Sequence, residues 1–155
     1  MKKFIYIALI GLFFALPRIG MAQEDTTVNI VDDIQFDLKS IKNNNDTLQV
    51  DLFVISYDKD PRDFRLNVFA STLIDANGKS HMLHSIKMDR VLILLSQRQN
   101  YLNYLLKQDM PVPIQLKFTP LTAEMKKAKA IKLVFESLEE EGKFVEALLG
   151  PVGSI

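Results

Sequence analysis

Apolar and polar residues alternate with a period of two in block after block of this sequence. In an extended strand, successive side chains point to opposite faces, so the pattern buries one face and leaves the other in water. The repeated period of two therefore predicts an all-β fold. The clearest blocks lie at 34–38, 48–54, 66–70, 114–118 and 131–135.

Polar turn signals separate these blocks. Residues 43–46 (NNND) favour a turn because Asn and Asp tolerate left-handed backbone. Asn77-Gly78 is the strongest short-range hairpin signal, so the strands on either side of it should pair antiparallel. Seven or eight short strands separated by such turns predict two antiparallel sheets packed face to face.

One segment departs from the period of two. Tyr101, Leu102 and Leu105 fall on one helical stripe. Pro111 and Pro113 follow and would stop a helix. The sequence therefore predicts one short crossover helix near 96–107.

The order of these signals resembles that of a known group of domains. The stretch 47–135 contains TLQVDLFVISYD, LNVFASTLIDANGK, LLKQDMPVPIQLKF and AIKLVFES, in that order. This is similar to the immunoglobulin-like β-sandwich domains common in exported bacterial proteins of unknown function, although the lipid-attachment cysteine is missing. The resemblance implies an immunoglobulin-like two-sheet sandwich and a role in extracytoplasmic binding or envelope scaffolding without catalysis. It carries over no functional residues.

The N-terminus has the three parts of a secretory signal peptide. Lys2 and Lys3 are followed by the apolar run 4–16, and Ala22 precedes a cut before Gln23. The run is shorter than the about 20 residues that a membrane-spanning helix needs, so cleavage without a remaining membrane span is expected. Arg18, close to the cut, keeps an uncleaved anchor open as the alternative.

We therefore expect a signal peptide at 1–22, a flexible tail at 23–27 and a single β-sandwich domain at 28–155. The protein should be exported to the periplasm, or be associated with the outer membrane or extracellular. The oligomeric state stays open.

Composition excludes several functions. Zero cysteines exclude a disulfide scaffold, a thiolate zinc site and a cysteine nucleophile. The chain has 19 basic and 19 acidic residues, and cleavage before Gln23 removes three basic residues and no acid. The remaining, mildly acidic chain has no electrostatic reason to bind nucleic acid or an anionic lipid surface.

Candidate chemistry is sparse. His81 and His84 are the only histidines, and on a strand positions i and i+3 point to opposite faces, so they should not share a metal. We expect His84 to be half-buried and His81 to lie at the surface. Asp58, Asp60 and Asp63 lack the Gly and the distant Glu of a calcium loop, which favours a solvated turn. No G-x-S-x-G turn is present. We expect no catalytic, metal or cofactor site.

The segment 91–106 is unusually rich in Leu and Tyr. One interpretation is a helix that plugs one end of the sandwich. The other is an exposed patch that docks a partner. Its candidate partner-binding residues are Leu94, Leu95, Tyr101, Tyr104 and Leu105.

The leading hypothesis is a non-catalytic module that binds another envelope protein through strand edges or the segment 91–106. The alternative is a carbohydrate or small-ligand binder that uses Tyr57, Tyr101 and Tyr104 on one exposed face. Thr26 and Thr47 follow aspartates in tripeptides similar to those that some Gram-negative envelope systems glycosylate, so both are candidate sugar carriers.

Overall fold

The computed structural model describes residues 28–150. The predicted leader and tail, with the candidate Thr26, lie outside the described residues, as do residues 151–155. The expected all-β class is confirmed, but the described part holds twelve strands instead of seven or eight. Two 3-10 helices, Leu95–Gln97 and Met125–Lys127, accompany them. The strands are β1 (Val28–Val31), β2 (Ile34–Asn44), β3 (Thr47–Ser56), β4 (Arg62–Asn67), β5 (Thr72–Asp75), β6 (Ser80–Met82), β7 (Ser85–Met88), β8 (Val91–Leu94), β9 (Tyr101–Leu106), β10 (Val112–Phe118), β11 (Ala128–Glu136) and β12 (Phe144–Leu149).

The first sheet, sheet A, has the strand order β1-β2-β3-β10-β7-β8, and each of its ladders is antiparallel. The predicted turn between β2 and β3 is confirmed: Asn45 has a φ of 55°, in the left-handed region that Asn tolerates. Exposure alternates between half-buried and buried along all ten residues of β3. This strand lies in the interior of the sheet, between β2 and β10.

The second sheet, sheet B, is built around β11. Ile131 and Phe135 pair with β12 on one edge and with β5 and β4, respectively, on the other. β4 and β5 are therefore two halves of one interrupted strand, and they pair in turn with β9 and β6. The chain bulges at 67–71, where the buried Ser71 Oγ accepts the N–H of Val134 at 3.0 Å.

The inner faces of the two sheets bury one continuous core. Phe36 of sheet A lies against Phe64 and Phe135 of sheet B, with ring centroids 6.4 and 5.3 Å away. All three rings are at most 1% exposed. In a chain without cysteine, burial of such apolar surface is the main stabilising contribution.

The chain passes from sheet B to sheet A between β6 and β7. At this step the buried and exposed positions differ from those predicted. His81 and Leu83 are buried, and after the step Ser85 and Ile86 are both buried. The expectation that His81 is a surface residue and His84 half-buried is therefore wrong, because His84 is exposed. The period-two pattern shifts its phase where the chain changes sheet.

The predicted crossover helix near 96–107 is also wrong. The segment forms the 3-10 helix and then β9, in which Leu102 and Leu106 are fully buried and Tyr104 packs against the core. These three residues have a period of two, which the helical stripe obscured. All six residues of β9 pair with β4, and a helix in this place would leave that edge of β4 without backbone partners.

Arg62 joins three connections at one end of the sandwich. Its side chain is 1% exposed. Its guanidinium donates to the carboxylate and the backbone carbonyl of Asp32, and to Asp58 Oδ2 at 3.2 Å. Asp32 also accepts the N–H of Leu138 at 2.9 Å. The β1–β2 turn, the β3–β4 loop and the β11–β12 loop are thereby held together.

The same network sets the ionisation of Asp32. Burial alone would raise the pKa of Asp32, but the Leu138 N–H and the Arg62 guanidinium outweigh it, so its pKa lies below the usual value. In the turn expected to be solvated, Asp60 and Asp63 are exposed, whereas Asp58 is half-buried in this ion pair.

The two long sides of the sandwich differ. On one side β1 packs beside β12, and Asn29 Nδ2 donates to the Leu148 carbonyl at 2.6 Å. On the other side the chain crosses from β8 in sheet A to β9 in sheet B, and the Tyr104 hydroxyl donates to Asp89 at 3.2 Å. This second side presents the outer edges of β8 and β9.

Candidate protein-binding edge

β9 is the last strand of sheet B on the side where the chain crosses between the sheets. It pairs with β4 along one edge, and no backbone partner is placed along its other edge within residues 28–150. Its sequence, YLNYLL, contains no charged residue and no proline. Charges and prolines are the usual devices that keep an edge strand from pairing with another chain. β9 is therefore an unprotected edge.

The direction of each backbone group in β9 follows from one hydrogen bond at its start. The N–H of Val68 donates to the Asn100 carbonyl at 2.9 Å, in the register of the β4–β9 ladder. In an antiparallel ladder, hydrogen-bonded pairs alternate with pairs that are not bonded. The even-numbered residues of β9 therefore bond to β4, and the odd-numbered residues direct their N–H and C=O away from the sheet.

The odd-numbered residues are Tyr101, Asn103 and Leu105. One of them is partly covered, because Gln99 Nε2 donates to the Tyr101 carbonyl at 3.1 Å. In the described part of the chain, no hydrogen bond covers the backbone groups of Asn103 or Leu105 on that edge. These two residues form the open part of β9.

β8, the edge of sheet A on the same side, is shorter and better covered. The N–H of Leu95 donates to the His84 carbonyl at 3.1 Å, which by the same alternation turns the backbone groups of Leu92 and Leu94 outward. The Leu94 N–H is hydrogen-bonded by Gln97 Oε1 at 3.4 Å. β9 thus offers the longer open stretch.

The five predicted partner-binding residues do not form one apolar patch. Leu95 and Tyr104 pack against the core, and Leu94 and Tyr101 are half-buried. Leu105 alone is largely exposed, at 51%. Because β9 is a strand, Tyr104 and Leu105 lie on its opposite faces. The segment 91–106 offers an open backbone edge instead.

The outer face of sheet B beside this edge is polar. The Arg65 guanidinium lies 4.0 Å from the ring centroid of Tyr101 and donates to Glu136 at 3.2 Å. The N–H of Gly142 donates to Glu136 at 2.7 Å. This bond and the Arg65 side chain hold the pKa of Glu136 below its usual value. A hollow of about 600 Å³ lies here, bordered by Asn103 of β9.

Asp51 organises the outer face of sheet A. Its carboxylate accepts hydrogen bonds from Ser40 at 2.9 Å, Gln115 at 3.0 Å and Gln49 at 3.1 Å. Burial alone would raise the pKa of Asp51, but these bonds outweigh it and lower the pKa. A hollow of about 320 Å³ adjoins this cluster over Phe53. The acceptor capacity of Asp51 is already used within the protein.

The tyrosines proposed for a carbohydrate or small-ligand site lie on different surfaces. Tyr57 is 43% exposed, and its hydroxyl donates to Gln35 beside sheet A. Tyr101 stacks on Phe144 on the outer face of sheet B, with ring centroids 5.9 Å apart. Tyr104 points inward. The fold does not bring the three rings into one platform.

The remaining candidate residues lie apart from one another or form hydrogen bonds within the protein. His81 is hydrogen-bonded to the buried Asp75, whereas His84 is exposed. Thr47 is half-buried at the start of β3, where its hydroxyl lies 2.7 Å from that of Thr119. Within residues 28–150, no group of three or more His, Cys, Asp or Glu is placed to hold a metal ion.

The sequence reasoning missed the groups that define the edge. Gln97 and Gln99 cover backbone groups of β8 and β9, and their only sequence signal is a polar residue next to an apolar strand. No helix in the described part of the chain is long and apolar enough to cross a bilayer. No family model, curated protein or solved structure matches the chain significantly.

Proposed function

We propose that this protein is a non-catalytic binding or scaffolding module of the bacterial cell envelope, and that it binds another envelope protein at the outer edge of β9. The observation that supports the proposal is the outward, uncovered backbone of Asn103 and Leu105 in a strand without charge or proline. An extended segment of a partner adds to such an edge as a further strand, and main-chain hydrogen bonds supply the affinity.

Asn103 and Leu105 also give the edge some specificity. Side chains directly opposite each other in an antiparallel pair lie about 4.5–5.5 Å apart at Cβ. Leu105 is 51% exposed, so an apolar partner residue opposite it removes apolar surface of both from water. Asn103 favours a polar residue with a hydrogen-bonding side chain. The preferred partner segment is therefore an uncharged strand with an apolar residue opposite Leu105 and a polar residue opposite Asn103.

We propose further that the sandwich is immunoglobulin-like. In that fold the sheets hold strands A-B-E-D and C-F-G. The order β2-β3-β10-β7 in sheet A fits A-B-E-D, and the interrupted β4–β5 with β11 and β12 fits C-F-G. β1, β6, β8 and β9 are additions in this assignment, which places the binding edge on an added strand beside strand C.

Export and charge support a partner that is a protein of the envelope. The sequence features of residues 1–22 are those of a secretory signal, and the chain beyond them has an excess of acid over base. Such a charge favours neither nucleic acid nor an anionic lipid surface. If the leader is removed as proposed, the intact mass of the exported protein should equal that of a chain that starts at Gln23. A mass that includes Met1 or Lys2 would support the retained anchor instead.

A cross-linking experiment in cells tests the binding edge. The tagged full-length protein is cross-linked, purified and analysed by mass spectrometry, together with the variants Leu105→Lys and Leu148→Lys. The two leucines are matched, at 51% and 50% exposure in the same sheet, but Leu148 lies on the β12 side that β1 covers.

A lysine on an edge strand opposes pairing. We expect Leu105→Lys to reduce the cross-linked partner about ten-fold, equivalent to about 1.4 kcal/mol, and Leu148→Lys to retain it. Equal capture by both variants would contradict a binding site at β9.

A further inference from the structure

We propose that the strand that adds to β9 is β9 of a second copy of this chain, paired antiparallel with Asn103 opposite Asn103. The inference rests on the proposed binding edge, and it assigns that edge to a second copy of this chain in place of a different envelope protein. It makes the protein a two-fold symmetric dimer in which the two sheets B become one continuous sheet.

The spacing of the outward residues supports this register. Tyr101 and Leu105 lie two residues on either side of Asn103. When two β9 strands run antiparallel about Asn103, Tyr101 of each copy therefore stands opposite Leu105 of the other. Every outward residue then meets an outward residue, and each such pair exchanges both of its backbone hydrogen bonds. A shift by one residue would place the outward groups of one copy opposite even-numbered residues of the other, whose backbone groups are already hydrogen-bonded to β4.

The side chains fit the same register. Tyr101 and Leu105, which stand opposite each other, are both uncharged, and their pairing brings no like charges together. The Asn103 amides of the two copies each carry a donor and an acceptor, so they can hydrogen-bond to each other. Like charges directly opposite would oppose pairing, and β9 has no charged side chain. An isologous two-fold contact requires this kind of self-complementarity.

The cover on Tyr101 is compatible with pairing. The Tyr101 carbonyl accepts from Gln99 Nε2, and Gln99 is exposed. In the dimer this carbonyl accepts the N–H of Leu105 of the second copy, and the Gln99 amide returns to water. Gln99 therefore competes with dimer formation, and its removal should tighten the dimer.

Cysteine cross-linking tests the register, because the chain has no cysteine of its own. Residues in a hydrogen-bonded antiparallel pair have Cα atoms about 5.5 Å apart, within the range of about 4.4–6.8 Å that a disulfide spans. The full-length protein carrying Asn103→Cys should form a covalent dimer on mild oxidation. With Leu105→Cys alone, the two cysteines lie four residues apart along the strands, about 13 Å, and should not join.

A mixture of Tyr101→Cys and Leu105→Cys proteins supplies the complementary test, since only the mixed pair is in register. We expect the mixture to form a covalent dimer and each protein alone to stay monomeric in non-reducing electrophoresis. Sedimentation of the cysteine-free protein should show a monomer–dimer equilibrium. The Gln99→Ala variant should lower its dissociation constant about 25-fold, because each of the two copies loses one competing hydrogen bond worth about five-fold.

The inference is overturned if Asn103→Cys gives no covalent dimer, or if Leu105→Cys alone cross-links equally well. It is also overturned if the cysteine-free protein sediments as a monomer throughout. A monomeric protein whose Leu105→Lys variant still loses its envelope partner would contradict the second copy and leave the binding edge intact. A dimer unaffected by Leu105→Lys would contradict pairing through β9, and circular dichroism of each variant separates loss of pairing from loss of folding.

Discussion

Nε2 of His81 lies 2.9 Å from Oδ2 of Asp75, and both side chains are buried. Asp75 also accepts the N–H groups of Asn77 and Lys79 at 2.9 and 3.0 Å. Gly78 completes the turn with a φ of 81°, which glycine adopts without strain. One carboxylate therefore holds the whole β5–β6 hairpin, and the histidine contributes to structure.

The Asp75 carboxylate should make stability depend on acid pH. The His81 hydrogen bond, aided by the N–H groups of the turn, lowers the pKa of Asp75 below its ordinary 3.8. A lowered pKa stabilises the fold above the unfolded-state value, and that stabilisation is lost as the pH falls below 3.8 through the folded value. Denaturant titrations below pH 5 should show a shallower pH dependence for Asp75→Asn. The exposed Asp60→Asn is the control and should leave the slope unchanged.

Arg62→Met should destabilise the protein by up to about 3–5 kcal/mol, because it leaves the half-buried carboxylates of Asp32 and Asp58 without their buried partner. Urea denaturation measures the loss. Arg65→Met, which removes a guanidinium that is 44% exposed, should cost at most about 1 kcal/mol. A second substitution, Asp32→Asn, should recover part of the loss in Arg62→Met, since the two residues share one network. Additive losses would argue against that coupling.

Ser71→Ala should cost about 1–3 kcal/mol, because it removes the hydroxyl that accepts the buried N–H of Val134. The hydroxyl also donates to the Asn67 carbonyl at 2.8 Å, which fixes the bulge. The exposed Ser80→Ala is the matched control and should change the free energy of unfolding by less than about 0.5 kcal/mol. Equal stabilities of the two variants would contradict this role of Ser71.

Leu102→Ala and Leu105→Ala distinguish a strand from a helix at 101–106. Leu102 is fully buried and Leu105 is 51% exposed, so thermal and urea unfolding should show a loss of about 2–5 kcal/mol for the first variant and less than about 0.5 kcal/mol for the second. On the helical stripe first predicted, both leucines would face the core. Two large losses would therefore favour that helix over β9.

The sequence predicts the parts of the fold that depend on local patterns. Period-two alternation identifies β3 and β10, and the asparagine-rich turns identify the β2–β3 and β5–β6 hairpins. Both signals depend on neighbouring residues only. The phase shift at His84 and the bulge before Ser71 arise from contacts between distant strands, which no local pattern contains.

The sequence draws attention to the segment that holds the open edge, but it predicts the wrong secondary structure for it. The segment 91–106 stands out for its leucines and tyrosines, and the open edge of β9 lies within it. What makes the edge open is the direction of backbone groups at Asn103 and Leu105, which depends on the register of β9 with β4. Leucines spaced three apart fit a helix as well as two faces of a strand, so composition alone favoured the wrong element.

The contact between β1 and β12 limits what an open β9 can build. Asn29 donates a hydrogen bond to the Leu148 carbonyl of β12. The β12 side of sheet B therefore differs from the β9 side. Two different open edges that pair with each other would let copies add head to tail without limit, whereas an edge that pairs with itself about a two-fold axis is used up after two copies. Assembly through β9 alone would therefore end at two copies.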